Sequence, residues 1–302
     1  MKGLERQMKR TILTAAVLAM ALLTMASNRR TMAKLDNPKI HRTDSVAIKL
    51  NKPEVAGLTE AQSKGEQLTE EFHQVYPLSA NGRVSIQNLN GDVQIAVWDQ
   101  NVVKVDAVKR AYQRERLDEA KVEVVNTADS VMIKTEYPDR NQTFTDQGPR
   151  RYNNPATVDY TLTIPRRARL DSAELVNGSL EIEGAEGDVR AASVNGQLTA
   201  RGLAGEVKLS TVNGTVEATM TRLDESKAVT LNSVNGSIVL IIPANAGAQI
   251  KASTVHGGIS NDFGLTVNEG QYVGHDLSGQ IGSGGPKIRL SNVNGSIAIK
   301  RG

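Results

Sequence analysis

The chain has no cysteine. That excludes disulfide staples, zinc sites of the Cys-His type and a lipid-modified cysteine anchor. Aromatic residues make up 3% of its 302 residues, and none lies between residues 172 and 262. A sugar site built on an aromatic platform therefore has little to draw on. Four histidines, His41, His73, His256 and His275, are scattered without metal-ligand spacing. Past residue 27 no apolar run approaches the roughly 20 residues that a helix needs to span a bilayer. An excess of one charge is also missing. The net charge is +3, but the first 33 residues alone carry six Lys/Arg against one Glu. Residues 172–302 hold 10 basic and 12 acidic residues, so a nucleic-acid footprint is absent.

The N-terminus is distinctive. Lys2, Arg6, Lys9 and Arg10 precede an apolar run over residues 11–27 that exits through Ala26 and Ser27. A basic start, a short apolar core and a small-residue exit describe a secretory signal peptide. Arg29 and Arg30 keep an uncleaved anchor open as the alternative. Either way the expected location is exported: periplasmic, cell surface or secreted. Residues 28–75 read as a mostly disordered polar linker with Asn37-Pro38 and Lys52-Pro53, and with a short helix over residues 59–72. Residues 76–170 read as β-rich. Val84, Ile86, Val93, Ile95, Val97, Val103 and Val105 alternate with period two, residues 113–121 suit a helix, and residues 138–156 read as a mobile loop.

From Ala173 a repeat takes over. Val-Asn-Gly occurs at Val176-Asn177-Gly178, Val194-Asn195-Gly196, Val212-Asn213-Gly214, Val234-Asn235-Gly236 and Val293-Asn294-Gly295, and the first three copies are 18 residues apart. Val255-His256-Gly257 is a variant and Leu89-Asn90-Gly91 an early outlier. Gly178, Gly187, Gly196, Gly205 and Gly214 are nine apart. The apolar set is Val176, Leu180, Ile182, Val189, Ala191, Val194, Leu198, Ala200, Leu203, Val207, Leu209, Val212, Val216 and Ala218.

Nine is odd, and side chains on a strand alternate with period two. An uninterrupted strand would turn its apolar set outward after each unit, so every unit must contain a bend that resets the face. Two bends per 18 residues give two short strands and two corners. The expected fold is an all-β solenoid with about 18–22 residues per coil over residues 171–302. An antiparallel meander with hairpins at each Asn-Gly fits the same spacing, but it needs a second sheet to cover its apolar face. The pairs Asn177-Gly178, Asn195-Gly196, Asn213-Gly214, Asn235-Gly236 and Asn294-Gly295 read as structural corners, because Gly permits positive φ and Asn bonds to nearby backbone or to its stacked neighbours. Asp224–Lys227 looks like a four-residue insertion, and Gly279–Pro286 like a loop. The chain stops after the strand over residues 296–300, which predicts an open edge and self-association through it.

Catalytic readings fare poorly. Calcium-binding nonapeptides need an Asp in every unit, and here those positions are apolar or variable. A polysaccharide lyase needs clustered carboxylates. Stacking places Asp188 beside Glu206 and Arg190 beside Lys208, which reads as a solvated charge lattice. No catalytic set, metal or cofactor is expected.

The segments "EEFHQVYPLSANGRVSIQNLNGDVQIAVWD", "VVKVDAVKRA", "LVNGSLEIEGAEGDVRAASVNGQLTARGLAGEVKLSTVNGTVEA" and "LSNVNGSIAIKRG" resemble the bacterial DUF4097 family, whose members are also labelled adhesin domains. The likeness covers roughly residues 70–302. It implies a right-handed β-helix-like fold on an exported or membrane-associated protein, and it brings no catalytic residues. The expected function is a non-enzymatic surface or periplasmic protein serving adhesion or assembly, with a cell-envelope protein or surface polymer as partner. A cell-envelope stress or signalling accessory is the alternative, and a polysaccharide-active enzyme is the remote one.

Overall fold

The computed structural model describes residues 66–138, 144–145, 148–149, 155–270 and 274–302. The signal segment and most of the linker lie outside them. The first half holds β1 (Leu68–Pro77), β2 (Arg83–Asn90), β3 (Val93–Trp98), β4 (Val102–Ala111), the helix α1 (Arg114–Glu119), β5 (Lys121–Thr127), β6 (Ser130–Glu136), β7 (Phe144–Thr145), β8 (Gly148–Pro149) and β9 (Thr157–Pro165). The repeats follow as β10 (Arg169–Asn177), β11 (Leu180–Glu183), β12 (Val189–Asn195), β13 (Leu198–Leu203), β14 (Val207–Asn213), β15 (Val216–Met220), β16 (Val229–Asn235) and β17 (Ile238–Ile242). The last third holds β18 (Ala248–His256), β19 (Ile259–Asn261), β20 (Val267–Glu269), β21 (His275–Ile281), β22 (Lys287–Asn294) and β23 (Ile297–Arg301). Among the described residues the fold is all-β apart from α1.

Two large sheets carry the fold. One has the order β1-β4-β9-β3-β11-β13-β15-β17-β23-β19, the other β20-β21-β18-β22-β16-β14-β12-β10-β2-β6-β5. Through the repeats the chain alternates between them, one strand in each per 18-residue step. Pairing between the repeat strands is parallel in each sheet: Asn177 pairs with Asn195, Asn195 with Asn213, and Leu180 with Leu198. A hairpin meander would instead pair β12 with β13. Inward-facing Leu198, Leu209, Leu231, Leu240 and Leu290 are all at most 1% exposed, so the apolar faces of the two sheets cover one another. Burying such side chains supplies the main favourable term.

The two resets per turn are visible in the burial pattern. On β12 the buried residues are Val189, Ala191 and Ser193, and after the Asn-Gly corner the buried apolar residues are Leu198 and Ala200. The parity has switched. It switches back at a register shift between Ala200 and Leu203, where Gly202 adopts φ +71° and stacks on Gly184 at φ +75°. The second reset therefore sits at these glycines and not at Gly187 and Gly205, which have no positive φ. One expectation is corrected here. Val176, Val194 and Val212 are half-buried and face outward, because the strand runs through the valine before it bends. Leu175, Ser193 and Thr211 take the inward place.

The last coil corrects another expectation. β22 lies between β16 and β18, and β23 between β17 and β19. The chain leaves one slot empty after β17, builds β18 and β19, returns through the antiparallel strands β20 and β21, and fills the slot with its final residues. The terminal strand thus has partners on both sides, and no free edge for self-association exists there. Gly279–Ile281 belong to β21, so the expected loop starts only after Ile281.

The linker also ends earlier than expected. Residues 68–75, read as linker and partly as helix, form most of β1, which pairs antiparallel with β4 from Leu68↔Ala111 to Pro77↔Val102. Phe72 and Tyr76 pack on the core and hold it there. α1 buries Leu117, and the Lys109 ammonium caps its end through the carbonyls of Leu117 and Ala120 at 3.5 and 3.3 Å, where the helix dipole favours a cation. Within residues 138–156 the described part is the antiparallel pair of β7 and β8.

Candidate functional site: stacked corners and charged outer faces

Each Val-Asn-Gly corner is a layer in a vertical stack. The Asn177 amide donates to Asn90 Oδ1 at 2.9 Å, Asn195 to Asn177 at 2.9 Å, and Asn213 to Asn195 at 2.8 Å. Asn235 continues to Asn213 at 2.9 Å and Asn294 to Asn235 at 2.7 Å. His256 stands next in register beyond Asn294 and ends the amide ladder. The neighbouring glycines are packed against one another: a Cβ on Gly196 would lie 1.9 Å from the Gly178 carbonyl oxygen. No side chain but hydrogen fits.

A second row runs inside the corners. The Thr211 hydroxyl donates to the Gly196 carbonyl at 3.3 Å, Ser233 to Gly214 at 3.2 Å, and Thr254 to Gly295 at 3.0 Å. The Asn292 amide donates to the Gly236 carbonyl at 2.6 Å. These groups are nearly fully buried, so the bonds remove polar atoms that would otherwise be costly. The full repeat is therefore Ser/Thr-Val-Asn-Gly, with Leu175, Asn88 and Asn292 as variants. The signal for that row was in the sequence, two residues before each Asn, where small polar residues recur in place of the expected apolar one. Ser193, the exception, is buried with no partner for its Oγ.

The opposite corners line a shallow cleft of about 330 Å³ bordered by Asn81, Arg167, Arg169, Asp188, Arg222 and Lys227. Asp188 Oδ1 accepts from Lys227 Nζ at 2.9 Å and from the Glu206 backbone amide at 3.0 Å. Burial pushes the Asp188 carboxyl up, but those two bonds and the charges of Lys227 and Arg169 outweigh it and hold it below its usual range. Glu206 pairs with Arg190 at 3.6 Å. The two carboxylates weighed for lyase chemistry thus each have a cationic partner of their own, Lys227 for Asp188 and Arg190 for Glu206.

The remaining histidine and aromatic contacts are local. His73 bridges Asp106 and Glu71 at 2.8 and 3.2 Å. Trp98 donates its indole N–H to the Val102 carbonyl at 2.9 Å. Arg301 stacks over Phe263 at 5.0 Å. His41 lies outside the described residues.

The sequence profile of the Toastrack DUF4097 family matches residues 40–300. Among solved structures the chain is similar to a candidate cell adhesion protein of Clostridium sporogenes, at 13% identity and TM-score 0.43, over 77% of this chain and 100% of that one. It is also similar to a candidate adhesin of Bacteroides fragilis, at 11% identity and TM-score 0.36, over 77% of this chain and 97% of the other. A candidate lipid binding protein of Parabacteroides distasonis follows at 12% identity and TM-score 0.28, over 79% and 97%. No curated protein matches the chain.

Proposed function

The chain belongs to the Toastrack DUF4097 family, and from that premise we propose that it is a non-enzymatic, exported β-solenoid that serves as an adhesive or assembly scaffold at the cell surface or in the periplasm. Its coils would wind in the right-handed sense usual for parallel crossovers. The observation that carries the reading is the division of labour in each coil. Corner amides, glycines and buried hydroxyls bond to one another from coil to coil, while the residues between corners form long outward rows open to a partner. The basic start and apolar run before residue 27 support export, with residues 1–27 removed or kept as an anchor.

Cell fractionation combined with mass determination of the mature N-terminus tests this. The expected outcome is protein in the envelope or medium, starting near residue 28 or held by the uncleaved segment. Protein confined to the cytoplasm with Met1 and the apolar run intact would overturn it.

A further inference from the structure

The outward face of the second sheet carries a row of cations, of which only Arg190 has an ion-pair partner among the described residues. In direct register across neighbouring parallel strands stand Arg190, Lys208, Thr230, Arg289 and Lys251. Lys287 lies two residues before Arg289 on the same face. All but Thr230, which is half-buried, are exposed. Arg190 has Glu206 beside it, but among the described residues Lys208, Lys251, Lys287 and Arg289 have no ion-pair partner. Neighbouring strands are about 4.8 Å apart, and like charges directly opposite one another are destabilising. Arg289 and Lys251 are such a pair. The other sheet handles the same problem differently: Arg201 sits between Glu181 and Glu217 and bonds to both, at 2.9 and 3.2 Å.

We propose that this row is a binding site for a linear acidic polysaccharide laid across the strands, its carboxylates meeting one cation per strand or so. The proposal rests on the scaffold reading and names its ligand. Two residues farther along the same face stand the half-buried Asn232, Ser291 and Ser253, able to exchange hydrogen bonds with sugar hydroxyls, while Ser210 in the same row is buried and accepts from the Asn232 amide at 3.3 Å. Apart from Lys287 beside Arg289 the row is one residue wide, which suits a single extended polyanion. No Phe, Tyr or Trp stands on these five strands, and the single ring is His256 at the corner, so nucleic-acid bases find no stacking row. Their outward valines, Val194, Val212, Val234, Val255 and Val293, are half-buried, and no fully exposed apolar side chain stands beside them to enter a lipid layer.

The test is direct binding of the purified full chain to polygalacturonate, with dextran, single-stranded DNA and phosphatidylglycerol vesicles as parallel probes. The expected result is saturable, salt-sensitive binding to polygalacturonate and none to dextran. Joint replacement of Lys208→Ser, Lys251→Ser and Arg289→Ser should weaken it about tenfold or more, while Arg201→Ser on the other face leaves it unchanged. Lys251→Ser alone should keep or raise Tm, since it removes a like-charge contact, and it carries the comparison if the triple variant unfolds. Binding that survives these variants, or that goes to DNA or vesicles and not to polygalacturonate, overturns the proposal. Both failures leave the scaffold reading standing, because that reading is decided by the protein's location and not by this ligand.

Discussion

Gly196→Ala asks the most of the stack for the smallest change. The new Cβ would sit 1.9 Å from the Gly178 carbonyl oxygen and 2.6 Å from its carbon. Ordinary contact begins near 3.4 Å, so the two coils must part by roughly 1.5 Å at that corner. The bonds spanning the gap are Gly178 N–H to Asn195 O at 3.0 Å, Leu180 N–H to Gln197 O at 2.9 Å, and the amide of Asn195 to Asn177 at 2.9 Å. At about 0.5–1.5 kcal/mol each, losing three costs about 2–4 kcal/mol before any strain is added. For a domain of this size that is a fall in Tm of about 5–15 °C. Gln197→Ala is the control. That side chain is exposed and makes one bond, to Thr199 at 3.1 Å, so its effect should stay within about 0.5 kcal/mol. Thermal melts followed by circular dichroism read both. Equal melting temperatures for the two variants would refute the close packing of the corners.

Three further outcomes are expected. Thr211→Val should cost about 1 kcal/mol in urea unfolding because the Gly196 carbonyl loses its buried donor, whereas Ser193→Ala, whose hydroxyl has no partner, should be neutral or slightly stabilising. The imidazole of His73 is held above its usual range by its bond to Asp106 first and Glu71 second. A raised folded value means that its contribution is complete below the unfolded value of 6.5 and is lost as pH rises through the folded one. Amide exchange in β1 should therefore quicken above that pH beyond the intrinsic trend, and His73→Gln should abolish the excess. Deleting residues 287–302 should leave the slot beside β16 and β17 unfilled, exposing parallel edges, and gel filtration should show the truncated chain associating or failing to fold.

Much of the architecture was legible because it is periodic. The 18-residue step became the parallel register of Asn177, Asn195 and Asn213, and the odd nine-residue period required the two resets that the burial pattern shows. The insertion Asp224–Lys227 falls between β15 and β16 as expected. Other features depend on information that no local pattern holds. Where Val176 points is decided by which residue of the corner bends, and the bend comes after the valine. The place of β22 and β23 depends on a slot left open by strands far earlier in the chain. β1 is written in polar residues because it is an edge strand, so it looked like linker. Of the charged faces only the stacking of Arg190 on Lys208 and of Asp188 beside Glu206 was legible, for a related reason. Residues 172–302 are slightly acidic in total, and only the register sorts Lys208, Arg289 and Lys251 onto one sheet and Glu181 and Glu217 onto the other.

The central claim is that the corners build the stack and the outward rows meet the partner. Photo-crosslinking in intact cells tests it most directly, with the reactive group placed at position 208 or 291 on the outward face, or at position 195 or 213 in the amide ladder. The expected result is crosslinked envelope material from 208 and 291 and little from the ladder positions. Crosslinking concentrated at 195 and 213, with positions 208 and 291 silent in a folded protein, would contradict it.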